Sequence, residues 1–263
     1  MRGLLAVLLL LGGCDQDDAA SAGIDAGGAD AGGGGADAAA AQMMGCVAPP
    51  ARTCAQVMAA FAASGNAGVA VTCDAGAGTF TMSASGVPPY MSNQSTPNAI
   101  DAQDWVVTLP LAPTCAAATT SVVASRGPIG FMINGVAFFG PQNMQGQDAP
   151  TVEGATLDDC DGHADPQCAY HYHSDPSCVF GRGGDLLAHM EGDGHPGLIG
   201  FALDGFPLYA PYPSAFPPAL DGCNGHSDAT RGYHFHTTST SPYFVGCYVG
   251  SPRTPVANDR GCN

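Results

Sequence analysis

Two stretches of this chain, "GPIGFMINGVAFFGP" at 127–141 and "GLIGFALDGFPLYAP" at 197–211, align without a gap. Each reads as an apolar strand, an Asn-Gly or Asp-Gly pair, and a second apolar strand, the strongest short-range signal for a β-hairpin with a two-residue type I′ turn. A unit that recurs points to two related halves. The two-residue turn would set Ile133 opposite Val136 and Phe131 opposite Phe138, and in the second copy Leu203 opposite Phe206 and Phe201 opposite Leu208. Gly130, Met132, Gly200 and Ala202 would then share the other face. Pro207 cannot donate to a ladder, which predicts an edge strand or a loop-covered flank there.

The duplication runs on. "LDDCDGHADPQCAYHYH" at 157–173 aligns without gaps with "LDGCNGHSDATRGYHFH" at 220–236, each 63 residues apart. Leu157, Asp158, Cys160, Gly162, His163, Asp165, Tyr170, His171 and His173 all recur, while the filler between Asp165 and Tyr170 changes in every residue and keeps its length. What repeats is a spacing, G-H-x-D-x5-H-x-H. On a strand, residues i and i+2 lie about 6.5 Å apart on one face, so His171 and His173 can aim ring nitrogens at one point while Tyr170 and Tyr172 turn to a core. Three histidines in a fixed frame suit a copper or zinc ion: His163 from a glycine loop, His171 and His173, with Asp165 as a fourth ligand or as an acceptor that orients a ring. The second copy offers His226, His234, His236 and Asp228. Facing halves would make one shared or dinuclear site, and separate halves would make two. Of the remaining histidines, His189 reads as a solvated loop residue, and His195, just ahead of the second hairpin, as a further candidate ligand. The metal reading allows either a binding and handling module or a metalloenzyme with an open coordination position, and the competing reading is a metal-free surface module whose histidines bond backbone carbonyls.

Outside these motifs the signal is of short β runs, "GVAVTC", "TFTMSAS", "DWVVTLPL" and "YFVGCYVG", with one helical stretch at 51–64 whose Val57, Ala60 and Phe61 share a face. With Gly 37 and Pro 21, the expected fold is mainly β, loop-rich and stapled by disulfides. The N-terminus carries Arg2, the apolar run Leu4–Leu11 and "LGGC" ending at Cys14, the pattern of a bacterial lipoprotein signal over 1–13 that is cleaved before an acylated Cys14. An ordinary secretory signal is the alternative. The Gly/Ala/Asp segment that follows, 14–45, reads as a flexible tether, and the folded domain as 46–263 with internal repeats at 127–178 and 197–250.

Apart from Cys14, ten cysteines remain in an exported chain, an even number that predicts disulfides. Alignment of the copies pairs Cys160 with Cys178 and Cys223 with Cys247, and sends Cys168, which has Arg231 at its equivalent position, to a partner outside the repeat. Cys46, Cys54, Cys73, Cys115 and Cys262 are left unassigned. Lysine is absent and the net charge is −16, which excludes a basic nucleic-acid surface. No G-x-S-x-G, phosphate-loop or H-E-x-x-H motif is present, and "DCDG" at 159–162 begins like a calcium loop without its later acidic ligands.

Together "GPIGFMINGVAFFGP", "CDGH", "YHYH", "HPGLIGFALDGFPLYAP", "LDGCNGH", "YHFH" and "PYFVGCYVG" resemble the YHYH domain family over about Gly78 to Gly250, including "SASGVPPY" and "DWVVTLPLAP". "YHFH" in place of a second YHYH, and "GVPPY" without a histidine after the proline, are departures. The resemblance implies an exported bacterial domain and leaves its chemistry to the residues.

Overall fold

The structure is a computed structural model, and it describes residues 45–90, 97–174, 177–213, 218–258 and 261–262. The signal segment, Cys14 and the tether through residue 44 lie outside the described residues. Helix α1, Cys54–Ala63, starts at a capping box in which Thr53 and Gln56 satisfy each other's backbone N–H groups, and it buries Val57 and Phe61. Strands β1 (Val69–Asp74), β2 (Thr79–Ala84) and β3 (Trp105–Pro110) form a meander, and β4 (Thr120–Ser121) follows. The first repeat supplies β5 (Pro128–Met132), β6 (Ala137–Phe139), a short helix α2 (Ala149–Glu153), β7 (Gly162–Ala164) and β8 (Tyr170–Tyr172). The second supplies β9 (Leu198–Ala202), β10 (Pro207–Tyr209), β11 (Gly225–Asp228) and β12 (Gly232–His236), and β13 (Cys247–Tyr248) and β14 (Val256–Ala257) close the chain. No helix among the described residues is long and apolar enough to cross a membrane.

A four-stranded sheet, β1-β2-β3-β14, packs on an eight-stranded one ordered β11-β12-β10-β9-β5-β6-β8-β7. The two repeats are thus the two halves of one sheet. Phe131 pairs with Phe201 at the β5–β9 junction, flanked by Gly130–Ala202 and Met132–Gly200, so exchanging the halves reproduces the register. A local twofold axis passes between those two phenylalanines. The four-stranded sheet lies on this face, with Trp105 5.6 Å from Phe131 and Phe80 5.2 Å from Phe201 between ring centroids, while Phe61 of α1 stacks on Phe201 at 5.9 Å.

The hairpins form where expected but with a different turn. Met132 N–H donates to Val136 O and Gly135 N–H to Met132 O, and Gly135 takes φ +80° while Asn134 does not go positive. The loop therefore holds three residues, with glycine in the left-handed position, and the second copy does the same through Ala202, Phe206 and Gly205. Pairing shifts by one residue: Phe131 faces Ala137, and Phe138 faces Gly130. In the second copy Phe201 faces Pro207 and Leu208 faces Gly200. A two-residue turn would have set Phe131 against Phe138; the longer loop instead lets the Phe138 ring lie over Gly130. A side chain on Gly130 would collide with the Phe138 ring and the Phe201 carbonyl.

Pro207 is likewise not at an edge. It is the first residue of β10, a strand flanked by β9 and β12, and the ladder to β12 starts one residue later, at Leu208–Phe235. The missing N–H therefore falls where no bond is required.

Four cysteine pairs stand at disulfide distance: Cys46–Cys115, Cys160–Cys178, Cys168–Cys262 and Cys223–Cys247. Cys54 and Cys73 are thiols, so the expectation that all ten cysteines are bridged is not met in full. Partial burial and the contact with Cys54 push the Cys73 thiol up to about 11.

Candidate metal centres

The frame of each histidine group is built by the other repeated residues. Asp158 accepts hydrogen bonds from Cys160 N and Gly162 N through Oδ1 and from the Tyr170 hydroxyl through Oδ2. Asp221 does the same for Cys223 N, Gly225 N and Tyr233. The glycine is obligatory because that tyrosine lies over it; a Cβ on Gly162 or Gly225 would overlap the phenol. This tight turn feeds β7 and β11, so His163 and His226 sit on strands rather than in the expected loop.

Pairing then gathers the histidines into one row across the sheet. His163 faces His171, which faces Ala137, then Phe131, Phe201 and Pro207. On the far side His226 faces His234, one residue ahead of the Leu208–Phe235 pair. The groups lie on the two outermost strand pairs of the sheet, β7–β8 and β11–β12, with four strands between those pairs. They form two centres, and the shared or dinuclear arrangement does not arise.

At the first centre His171 Nε2 lies 3.0 Å from His173 Nε2, which lies 3.3 Å from His163 Nε2. Nitrogens bound tetrahedrally at about 2.1 Å from zinc would be about 3.4 Å apart. The Nδ1 of His171 is 3.0 Å from the Ala169 carbonyl, so Nδ1 carries the proton and Nε2 a lone pair. His163 is fixed likewise: the Thr156 hydroxyl donates to Glu153 O and so accepts from His163 Nδ1 at 3.0 Å. Two lone pairs thus converge on His173, whose single ring proton cannot satisfy both.

The second centre has four imidazoles, His195, His226, His234 and His236, each offering a nitrogen within 4.8 Å of the others. His195 Nδ1 donates to Pro196 O at 2.7 Å, His234 Nδ1 to Gly232 O at 2.9 Å and His236 Nδ1 to Ala210 O at 2.9 Å. A carbonyl only accepts, so all three Nε2 atoms are bare. Yet His195 Nε2 and His234 Nε2 are 3.1 Å apart, and the buried Nε2 atoms of His226 and His236 have no hydrogen-bond partner. Such an arrangement is repulsive unless a cation sits among the lone pairs.

Burial holds His173 and His234 down at about 3 and His236 at about 2, and lowers His163, His171, His195 and His226 as well. All seven rings are neutral at pH 7, the form in which imidazole binds a metal.

The two carboxylates expected beside the histidines have another task. Asp165 Oδ1 accepts from Gln167 N and Ala169 N, and Asp228 Oδ1 from Thr230 N and Arg231 N, so each closes the turn between its two strands. Asp228 Oδ2 is also held by Arg231 at 3.0 Å and stands 4.0 Å from His234 Nε2. The carboxylate at the first centre is instead Glu153 of α2, whose Oε2 lies 3.8 Å from His163 Nε2 and 3.7 Å from His173 Nε2. Burial raises its pKa. Glu153 precedes the aligned motif, so the repeat could not flag it. His189 belongs to neither centre; its ring stacks on Phe180 at 3.5 Å.

The carboxylates near "DCDG" are committed separately. Asp158 holds the turn, Asp159 pairs with Arg182, Asp161 accepts from Ser174, and the Cys160 sulfur is in a disulfide. No calcium cage forms there.

Residues 106–217 match the family model for YHYH protein, a stretch that contains both hairpins and the first histidine motif and stops short of the second. No curated protein and no solved structure matches the chain.

Proposed function

With a YHYH domain over residues 106–217 as its premise, we propose that this protein binds two transition-metal ions, copper or zinc, one in each half of its eight-stranded sheet. The observation that carries the reading is the set of ring orientations at the second centre, where three backbone carbonyls fix His195, His234 and His236 with bare Nε2 atoms turned inward. Neutral imidazole suits zinc and copper. The first ion is held by His163, His171 and His173 with Glu153 beside them, and the second by His195, His226, His234 and His236.

We further propose that the domain works in the bacterial cell envelope as a lipoprotein, tethered to a membrane through acylated Cys14 and the acidic linker behind it. Replacement Cys14→Ala is expected to stop acyl labelling and signal cleavage; unchanged membrane attachment of that variant refutes the anchor. Elemental analysis of protein purified without an affinity tag tests the metal reading. Two equivalents of copper or zinc are expected, falling to one in His171→Ala/His173→Ala and to one in His234→Ala/His236→Ala. Protein that takes up neither ion at micromolar concentration has histidines that serve as scaffold alone.

A further inference from the structure

The hairpin alignment extends two residues upstream, and there the halves part company: His195–Pro196 of the second copy corresponds to Ser125–Arg126 of the first. His195 is the fourth imidazole of the second centre. Its position is held by the loop before β9, where Asp193 Oδ1 accepts from His195 N and Asp193 and Glu191 clasp Arg231 at 2.6 and 2.7 Å. Tyr209 and Tyr212 cover its ring at 4.7 and 5.4 Å between centroids. At the first centre Phe139, the aligned counterpart of Tyr209, stacks on His171 at 3.8 Å, but Ser125 stands in place of His195 and Gln142 in place of Tyr212. Ser125, Arg126 and Gly127 line the wall of a cavity of about 490 Å³ into which His163, His171 and His173 all open. That volume is many times the roughly 30 Å³ of one water molecule and falls in the range of small-ligand sites.

Resting on the metal reading above, we infer that the first centre keeps an open coordination position that takes a small anionic ligand from this cavity, while the second is closed by His195. Closed sites with four protein ligands hold structure, and sites with an open position bind exogenous groups. The charge balance favours an anion: a divalent ion and Arg126 are set against Glu153 and Asp165, the two acidic residues of the lining, which leaves the cavity positive. Asp165 is turned to the backbone of its own turn, so it does not occupy the open position. Trp105, Phe139 and Met144 give the cavity apolar walls, and Gln142, Gln145 and Gln167 give it amide edges, a lining for something larger than a bound water.

The test uses cobalt(II) as a zinc stand-in with visible d–d bands, and sodium azide as the anionic probe, on full chains with one centre removed. The His234→Ala/His236→Ala protein, which keeps the first centre, is expected to show a saturable azide-induced band shift, and the His171→Ala/His173→Ala protein none. Adding Ser125→His to the former should abolish the shift while cobalt is retained. Adding His195→Ala to the latter should create one, and this arm stands even if the Ser125→His protein fails to fold, as judged by its disulfides and far-ultraviolet dichroism. Equal azide responses from both centres, or none from either while each holds its cobalt, overturn the inference. Failure of both proteins to bind cobalt refutes the metal reading itself, and the inference falls with it.

Discussion

At the scale of single residues, His163, His171, His195, His234 and His236 each do two things at once: Nδ1 anchors the ring to the backbone or to Thr156, and Nε2 is presented bare. This gives the metal affinity an unusual pH profile. An exposed imidazole would compete with protons from about pH 6.5 downward. Here burial depresses the ring pKa values, to about 3 for His173 and His234 and about 2 for His236, so protons compete only well below 6.5. Zinc affinity measured by chelator competition is therefore expected to hold steady through pH 6.5 and to decline only at lower pH; a decline that begins at 6.5 contradicts the buried geometry. The metal-free fold behaves in the opposite sense. Its stability is fully present above pH 6.5 and drains away below it, because the unfolded chain takes up protons that the buried rings refuse. A second contrast separates the carboxylate that the repeated motif offers from the one that the fold brings beside the histidines. Glu153→Gln should weaken zinc binding at the first centre about tenfold or more, in line with groups next to a metal. Asp165→Asn should leave that affinity in place and cost about 1 kcal/mol of folding stability through its turn, read by denaturant titration. The reversed pattern would return Asp165 to the metal.

At the scale of elements, the strands and the clustering of histidines were legible because both rest on local spacing: period two brings His171 and His173 to one face, and Asn-Gly marks a turn. Turn length was not. The same dipeptide sits in the two-residue loop and in the three-residue loop that forms, and the choice falls to packing, since the shifted register lays Phe138 over Gly130. Pro207 misled for a related reason: an absent N–H excludes a ladder position and not a whole strand, and β12 pairs from Leu208 onward. Glu153 and the closing role of His195 depend on contacts between segments far apart in the chain, which no single-sequence pattern records. The register has a direct test. Gly130→Ala is expected to destabilise the fold by roughly 1–3 kcal/mol, as overpacking a filled core does, and Gly200→Ala to act in the same direction against the Phe131 carbonyl and Met132. The register bears on Gly130, over which the Phe138 ring would not lie had Phe131 faced Phe138, whereas Gly200 meets β5 in either case.

At the scale of the whole molecule, one sheet carries two centres at its opposite ends, and the packed core of Phe131, Phe201, Trp105 and Phe80 lies between them. Each centre is held by its own disulfide, Cys160–Cys178 in the first half and Cys223–Cys247 in the second, closing loops of 18 and 24 residues. Where the second half ties its β11–β12 turn to the 191–195 loop through Arg231, the first has Cys168 bonded to Cys262. Neither centre borrows a ligand from the other half. Sites with separate ligand sets should contribute additively to stability. A metal that binds only the folded chain adds about 2.7 kcal/mol per site at a free concentration of 100 times its Kd. Denaturant titrations with and without zinc are then expected to give a stabilisation in the parent protein equal to the sum of those in His171→Ala/His173→Ala and His234→Ala/His236→Ala. A parent value well above that sum would mean that one ion orders the other half, through contacts such as the β5–β9 ladder at Phe131 and Phe201 and the Tyr243–Asp148 hydrogen bond. Agreement with the sum means that duplication produced two independent sites, free to diverge in the way His195 and Ser125 have diverged.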